Sequence, residues 1–344
     1  MLNRFRRDDD RDPEAARDDR PSADGRRRTG EAATDQYYIS VVPDPPEDDV
    51  GAGEPVEPGS VTTEGDEPDP DRAGRVIAVV NQKGGVGKTT TAVSLGAALA
   101  ERGLAVLLVD LDPQRNATTG LGERGEEGRP STYGVLIEDL PAAEALVATE
   151  VDGLTLLPAS LDLAGAEIEL VPVLSRERRL VEALEPVRDR FDLVIVDCPP
   201  TLGLLTVNAL VAADEVLIPL QCEYYALEGV GQLVRTIDLV RRSLNPELDV
   251  GGVLLTMFDG RTRLAEQVAA EVRGHFGDQV FRTVIPRAVR LSEAPGFGQP
   301  ITVFDPSSRG ARAYQRLAGE LAQRLDLDAA TSPIDELAHR REEP

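Results

Sequence analysis

The chain has 344 residues, enough for one large domain or two small ones, with 41% apolar residues and a formal charge of −24. It contains no apolar stretch of roughly eighteen residues, so no transmembrane helix is predicted, and its first residues, MLNRFRRDDDRDPE, lack the apolar segment of a secretory signal. Cys198 and Cys222 have no metal-ligand spacing, which argues against a disulfide framework or zinc site and fits a reducing cytoplasm, while the net charge excludes bulk attraction to nucleic acid but not a local basic patch.

Residues 1–73 form an acidic, Pro- and Gly-rich extension with hardly any apolar periodicity, the composition of a disordered tail. Its one apolar cluster, Tyr37 to Val42, is open to two readings: part of a solvated tail, or a recognition segment for a partner. The character changes at Gly74. Arg75 to Val80 predicts a strand, followed by a glycine loop and a helix running to Arg102, with Gly103 as its stop. Further unbroken apolar runs occupy 104–110, 153–159, 191–197, 215–221 and 250–258. Runs apolar on both faces read as buried parallel strands. Helical periodicity lies between them, at 175–190 and 227–244. The alternation predicts an α/β fold: a doubly wound, mostly parallel sheet flanked by helices, spanning 74–325, with a short polar tail at 326–344.

The stretch VIAVVNQKGGVGKTTTAVSLGAALAERG, residues 76–103, is strand, glycine-rich turn and helix, the context of a phosphate-binding loop. Gly84, Gly85 and Gly87 let backbone amides, with that of Val86, converge on an anion, and the helix aims its positive end at the same place. Lys88 would reach the β- and γ-phosphates, the Thr89 hydroxyl would ligate Mg²⁺ and Thr90 would bond the α-phosphate. The general motif needs Gly six residues before Lys88. Gln82 stands there, so KGGVGKTT (83–90) is a deviant loop with Lys83 as its extra element. Lys83 and Lys88 are also the chain's only lysines; apart from two histidines, every other basic side chain is arginine. A compact ammonium fits a tight backbone nest that a planar guanidinium does not.

Asp110 and Asp112 end one predicted strand and Asp197 another, where α/β sheets bind ligands. Neither histidine, His275 or His339, lies near the loop, so no histidine base is expected. Residues 261–290 are net positive, with Arg261, Arg263, Arg273, Arg282, Arg287 and Arg290 against Glu266, Glu271 and Asp278. Such a window reads either as salt-bridged surface or as a set of phosphate contacts, which carry no sequence information.

From about Arg75 to Leu325 the chain resembles the ParA/Soj family of chromosome and plasmid partitioning ATPases. The resemblance rests on KGGVGKTT together with LLVDLDPQRNAT, LAGAEIELV, FDLVIVDCPPTLGLLT, QCEYYALEG and IPRAVRLSEAP. It implies an ATP- and Mg²⁺-dependent switch. Lys83 is then the signature lysine that crosses to the partner's ATP in a sandwich homodimer. Asp112 positions the attacking water, Asp197 holds Mg²⁺ through water, and Asp110 is structural or touches Mg²⁺-bound water. Met257, Pro286 and Arg287 flank adenine, although Met257 reads equally as core. Arg261 and Arg290 match the family's contacts to double-stranded DNA, bound without sequence preference. The implied partner is a ParB-type centromere-binding protein that stimulates hydrolysis, in a cytoplasmic, nucleoid-associated setting with no membrane. One departure is Arg115, where the family has Gly, and the change bears on the basal rate or on a partner or DNA contact.

The alternatives are a membrane-cycling ATPase of the MinD type, an iron–sulfur reductase, a metabolic ligase and a non-hydrolysing scaffold. LDLDAATSPIDELAHRREEP is acidic where a membrane-cycling relative needs a basic amphipathic helix, and the two cysteines do not supply cluster ligands.

Overall fold

Val76–Val79, Val106–Asp110 and Leu193–Asp197 are buried along their whole length, as strands covered on both faces must be. A computed structural model describes residues 74–123, 128–224 and 226–327; the predicted N-terminal extension, with the Tyr37–Val42 cluster, and the C-terminal tail from residue 328 lie outside the described residues. Among the described residues one sheet holds seven strands: β1 (Arg75–Val79), β2 (Val106–Asp110), β3 (Val147–Ala148), β4 (Leu154–Leu157), β5 (Leu193–Asp197), β6 (Glu215–Gln221) and β7 (Asp249–Thr256). Their order is β3-β4-β2-β5-β1-β6-β7, and every pairing is parallel except β3 with β4.

This is the doubly wound sheet expected from the apolar runs. The two-residue β3 is too short to show a periodicity and was not foreseen. Element ends also moved, for local reasons. The first helix stops at Ala100, and Gly103 turns the chain at φ 89°. The next strand starts at Val106 because the Leu104 amide still closes the helix, donating to the Leu99 carbonyl at 3.3 Å. Residues 176–178 make a 3₁₀ turn behind Ser175 (φ 53°), so the α-helix expected from 175 begins at Arg179 and runs to Arg188. The last strand ends at Thr256 because Met257 turns out of it at φ 48°.

One face of the sheet is covered by the helices Lys88–Ala100 and Arg309–Arg324, the other by the helices from Thr132–Ile137 to Ala226–Ser243 and by Arg263–Phe276. The two helices of the first face are joined by a buried hydrogen bond of 3.1 Å between the hydroxyls of Thr91 and Tyr314.

Strand β1 lies in the interior of the sheet, with β5 on one side and β6 on the other. The chain leaves β1 towards β2 on one side and later returns to build β6 and β7 on the other. Ligands bind in α/β sheets at such a switch point, outside the carboxyl ends of the strands. Registers Val79↔Asp197 and Asp110↔Asp197 set both aspartates beside the loop that follows β1.

Candidate nucleotide site

The loop from Asn81 to Gly87 is shaped by side chains on either side of it. Asn81 donates through Nδ2 to the Pro219 carbonyl at 2.7 Å and accepts the Lys83 amide at 2.9 Å. The Thr256 hydroxyl donates to the Val86 carbonyl at 2.8 Å, tying the loop to the end of β7. Gly85 (φ 73°) and Gly87 (φ 90°) take the left-handed conformation that a side chain resists. Gly87 then caps the helix beginning at Lys88, so unpaired amides at a positive helix end face the loop's interior.

Lys88 is 6% exposed, and its Nζ lies 3.4 Å from the Lys83 carbonyl. Burial draws its proton affinity down, and the nearby Asp197, Asp112 and Cys198 draw it back up. Lys83 is placed quite differently. Its side chain is about half exposed, and its Nζ pairs with Glu223 Oε2 at 2.9 Å across 140 residues of sequence. Glu223 also accepts from Gln221 Nε2 at 2.5 Å.

The three carboxylates have separate environments. Asp110 is fully buried and saturated: it accepts from the Asp112 amide at 3.1 Å, the Thr118 amide at 2.8 Å and the Thr118 hydroxyl at 2.7 Å. Burial nevertheless pushes its carboxyl up to about 6 against the pull of those donors. These bonds hold the turn after β2 in shape. Asp112 is 5% exposed and accepts the Gln114 amide through Oδ1 at 2.9 Å.

Asp197 differs from both. Its two oxygens are wholly buried, and neither has a well-formed hydrogen bond. Burial first and the charge of Asp110 second raise its carboxyl well above the usual range, while the Thr89 hydroxyl and the Lys88 ammonium offset part of the rise. A buried carboxylate without partners is a costly arrangement unless a cation or its water completes it. A hard divalent cation that keeps several waters and takes one or two oxygen ligands fits this donor set.

A cavity of about 350 Å³ opens beside the loop, lined by Gly87, Thr90, Met257, Pro286, Arg287 and Tyr314 among others. The Met257 segment and the Pro286 turn are bonded together: Phe258 donates to the Ile285 carbonyl at 3.0 Å and Arg287 to the Phe258 carbonyl at 3.1 Å. Met257 is therefore a cavity wall in a left-handed conformation, rather than plain core. Strain of this kind costs roughly 1–3 kcal/mol and gathers at ligand clamps.

Arg115 also has positive φ (56°), as the cap of the helix Asn116–Gly120. Its amide donates to the Asp112 carbonyl at 2.8 Å, and its carbonyl accepts from Thr119 at 2.9 Å. The turn demands a left-handed residue, which is the physical reason that glycine suits this position. Arginine there carries a strain of about 1–2 kcal/mol.

The predicted DNA residues are exposed but locally paired. Arg261 forms two bonds to Asp259, at 2.9 and 2.8 Å, and the pairing draws that carboxyl down to about 2. Arg290 pairs with Glu293 at 3.0 Å and Asp305 at 3.4 Å. They lie on different elements from the nucleotide loop. Sequence reasoning missed Asn81, Thr118, Glu223, Thr256 and Tyr314. Asn81, Thr118 and Glu223 sit inside motifs already singled out and were findable. The others act across long sequence separations and leave no local signal.

A family model described as "AAA domain" matches residues 74–250. The chain is 57% identical over 249 residues to the sporulation initiation inhibitor protein Soj of Bacillus subtilis (strain 168), covering 72% of this chain and 98% of the relative. It is 54% identical over 260 residues to the chromosome partitioning protein ParA of Myxococcus xanthus (strain DK1622), covering 76% and 91%. Among solved structures, one named cobyrinic acid a,c-diamide synthase from Mycobacterium smegmatis, with bound ADP and magnesium, is similar at 44% identity and TM-score 0.65, covering 74% of this chain and 96% of that one. The same protein was also solved with an ATP analog and magnesium. With the deviant loop closed around Lys88, an orphaned Asp197 beside Thr89 and this degree of identity over nearly the whole length of the relatives, the chain belongs to the ParA/Soj family of chromosome-partitioning P-loop ATPases.

Proposed function

We propose that this protein is an ATP-driven switch that moves chromosomal or plasmid DNA. The observation that carries the reading is the unequal placement of its two lysines. Lys88 is enclosed with Asp197 and Asp112 and serves its own subunit's phosphates. Lys83 is held at the surface by a single ion pair, from which it can swing to a partner's nucleotide. The ATPase unit is residues 74–325, with 1–73 and 326–344 as flanking tails.

ATP lies with its phosphates against the amides of residues 83–90 and its base in the cavity of Met257, Pro286 and Arg287. The Thr89 hydroxyl and, through water, Asp197 hold Mg²⁺, which when bound neutralises charge on the β- and γ-phosphate oxygens. Asp112 orients the water that attacks the γ-phosphate, giving ADP and phosphate. Lys88 and the partner's signature lysine stabilise the charge on the transferring group. With Lys83 spent on the other subunit, each site is complete only in the ATP homodimer, and turnover is slow until a ParB-type partner and DNA stimulate it. Arg261 and Arg290, released from their local pairs, contact duplex DNA without sequence preference.

The surface pair of Lys83 and Glu223 opposes dimerisation. Each side chain is 49% exposed, and such pairs contribute about 0.2–1 kcal/mol. Because a dimer releases two such pairs, Glu223→Ala should lower the protein concentration needed for the ATP dimer by up to about thirtyfold. Light scattering with Mg-ATP reads this, and a weaker dimer would place Glu223 in the interface instead.

The name of the M. smegmatis neighbour makes a metabolic ligase the second reading. Binding to random-sequence duplex DNA, with Mg-ATP, with Mg-ADP and without nucleotide across a salt series, separates the two. The switch requires binding with ATP only, falling steeply with salt. Absence of DNA binding in every state, with turnover that depends on a small-molecule acceptor, would replace it by the ligase.

A further inference from the structure

Arg309, Arg312 and Arg316 stand at the start of the helix Arg309–Arg324, at spacings of three and four residues that put them on one face. All three are exposed. With Val284 and Pro286 they line a cleft open to solvent. Among the described residues none of the three has a carboxylate partner; Arg312 alone is anchored, donating to the Ser307 carbonyl at 2.7 Å. The nearest acid along the helix, Glu320, is occupied, accepting the amides of Arg282 and Thr283 and pairing with Arg324. In a chain of charge −24, three neighbouring cations without acids are an exception that local pairing does not explain.

The place is also unusual for cations. The first turn of this helix has no acidic residue. Arginine there faces the positive end of the helix dipole, so the cations and the dipole repel each other. An anion laid across the row satisfies both at once. From Arg309 to Arg316 the helix rises about 10 Å. One strand of a DNA duplex presents a charge per roughly 3.4 Å of axis, so the row spans about three phosphates of one backbone.

We propose that Arg309, Arg312 and Arg316 form a phosphate-backbone contact row for double-stranded DNA, distinct from Arg261 and Arg290. The inference rests on the DNA-switch reading above. Arg261 and Arg290 must leave Asp259, Glu293 and Asp305 to reach a phosphate; the row is ready without any such exchange. It is also tied to the nucleotide. Pro286 forms a wall of both the arginine cleft and the base cavity. Tyr314, on the same helix as the row, lines the base cavity and bonds Thr91 of the phosphate-loop helix. Filling the base cavity thus acts on the element that carries the arginines.

The test uses the full chain with Mg-ATP and a random-sequence duplex, comparing the wild type with Arg309→Gln/Arg312→Gln/Arg316→Gln and with the triple lysine variant. The glutamine variant should lose at least tenfold in DNA affinity. Its plot of log K against log salt should flatten by about three for each subunit. Its melting temperature and ATP-dependent dimerisation should match the wild type, and the lysine variant should keep most of the affinity. Wild-type affinity and salt slope in the glutamine variant would overturn the row while leaving the DNA switch intact. Wild-type protein that binds no DNA in any nucleotide state, or binds anionic vesicles instead, would overturn both.

Discussion

Lys88→Ala should reduce ATP affinity by about 10²–10³-fold, the cost of removing one partner from a buried charge pair. The magnitude follows from where the ammonium sits. It is 6% exposed, with Asp197 and Asp112 beside it, so neither water nor another cation replaces it when phosphates arrive. Lys88→Arg should not rescue binding. The planar guanidinium needs more room than the loop leaves between the Lys83 carbonyl and the helix end. Titration with a fluorescent ATP analogue measures both variants. Wild-type affinity in Lys88→Ala would mean that the phosphates lie elsewhere than in this loop. Lys83→Ala should behave differently, retaining nucleotide and losing the ATP dimer, because its side chain faces outward.

Asp112→Ala should lower turnover by about 10²–10⁴-fold, the usual contribution of a positioned acid–base group, while ATP affinity changes only a few-fold. If hydrolysis releases the dimer, as proposed above, it should then persist on DNA. Asp110 provides the contrast. It holds the Asp112 amide and both polar groups of Thr118, and its removal strands buried donors at roughly 1–3 kcal/mol each. Asp110→Ala should therefore lose melting temperature along with activity, whereas Asp112→Ala should keep its melting temperature. Single-turnover hydrolysis beside thermal melts separates the two. Wild-type turnover in Asp112→Ala would remove it from the water-positioning role.

In the proposed switch the arginines are what would let a strongly acidic chain meet a polyanion. Counting charge along the sequence singled out residues 261–290, yet two of the arginines chosen there are paired with Asp259, Glu293 and Asp305. The row on the last helix has fewer residues and less contrast in composition, but among the described residues its cations make no ion pair. Net charge of a window is a sum; binding depends on which charges remain unpaired in space.

The sequence by itself determined the β-strands of the parallel sheet and the phosphate loop. Both are written in neighbouring residues: continuous apolar runs for strands buried on two faces, and glycines that let consecutive amides turn inward before a helix. The strand-end aspartates were legible for the same reason, since a carboxylate closing an apolar run has one place to go. Only the tertiary structure decided which aspartate is saturated and which is left without a well-formed hydrogen bond, because Thr118 bonds Asp110 twice while Thr89 only lies close to Asp197. It alone paired Lys83 with Glu223 across 140 residues and Thr91 with Tyr314 across 223. It alone showed that Arg115 and Met257 occupy left-handed backbone. Pairing and strain of this kind arise when distant segments are packed together, and no local pattern of residues records them.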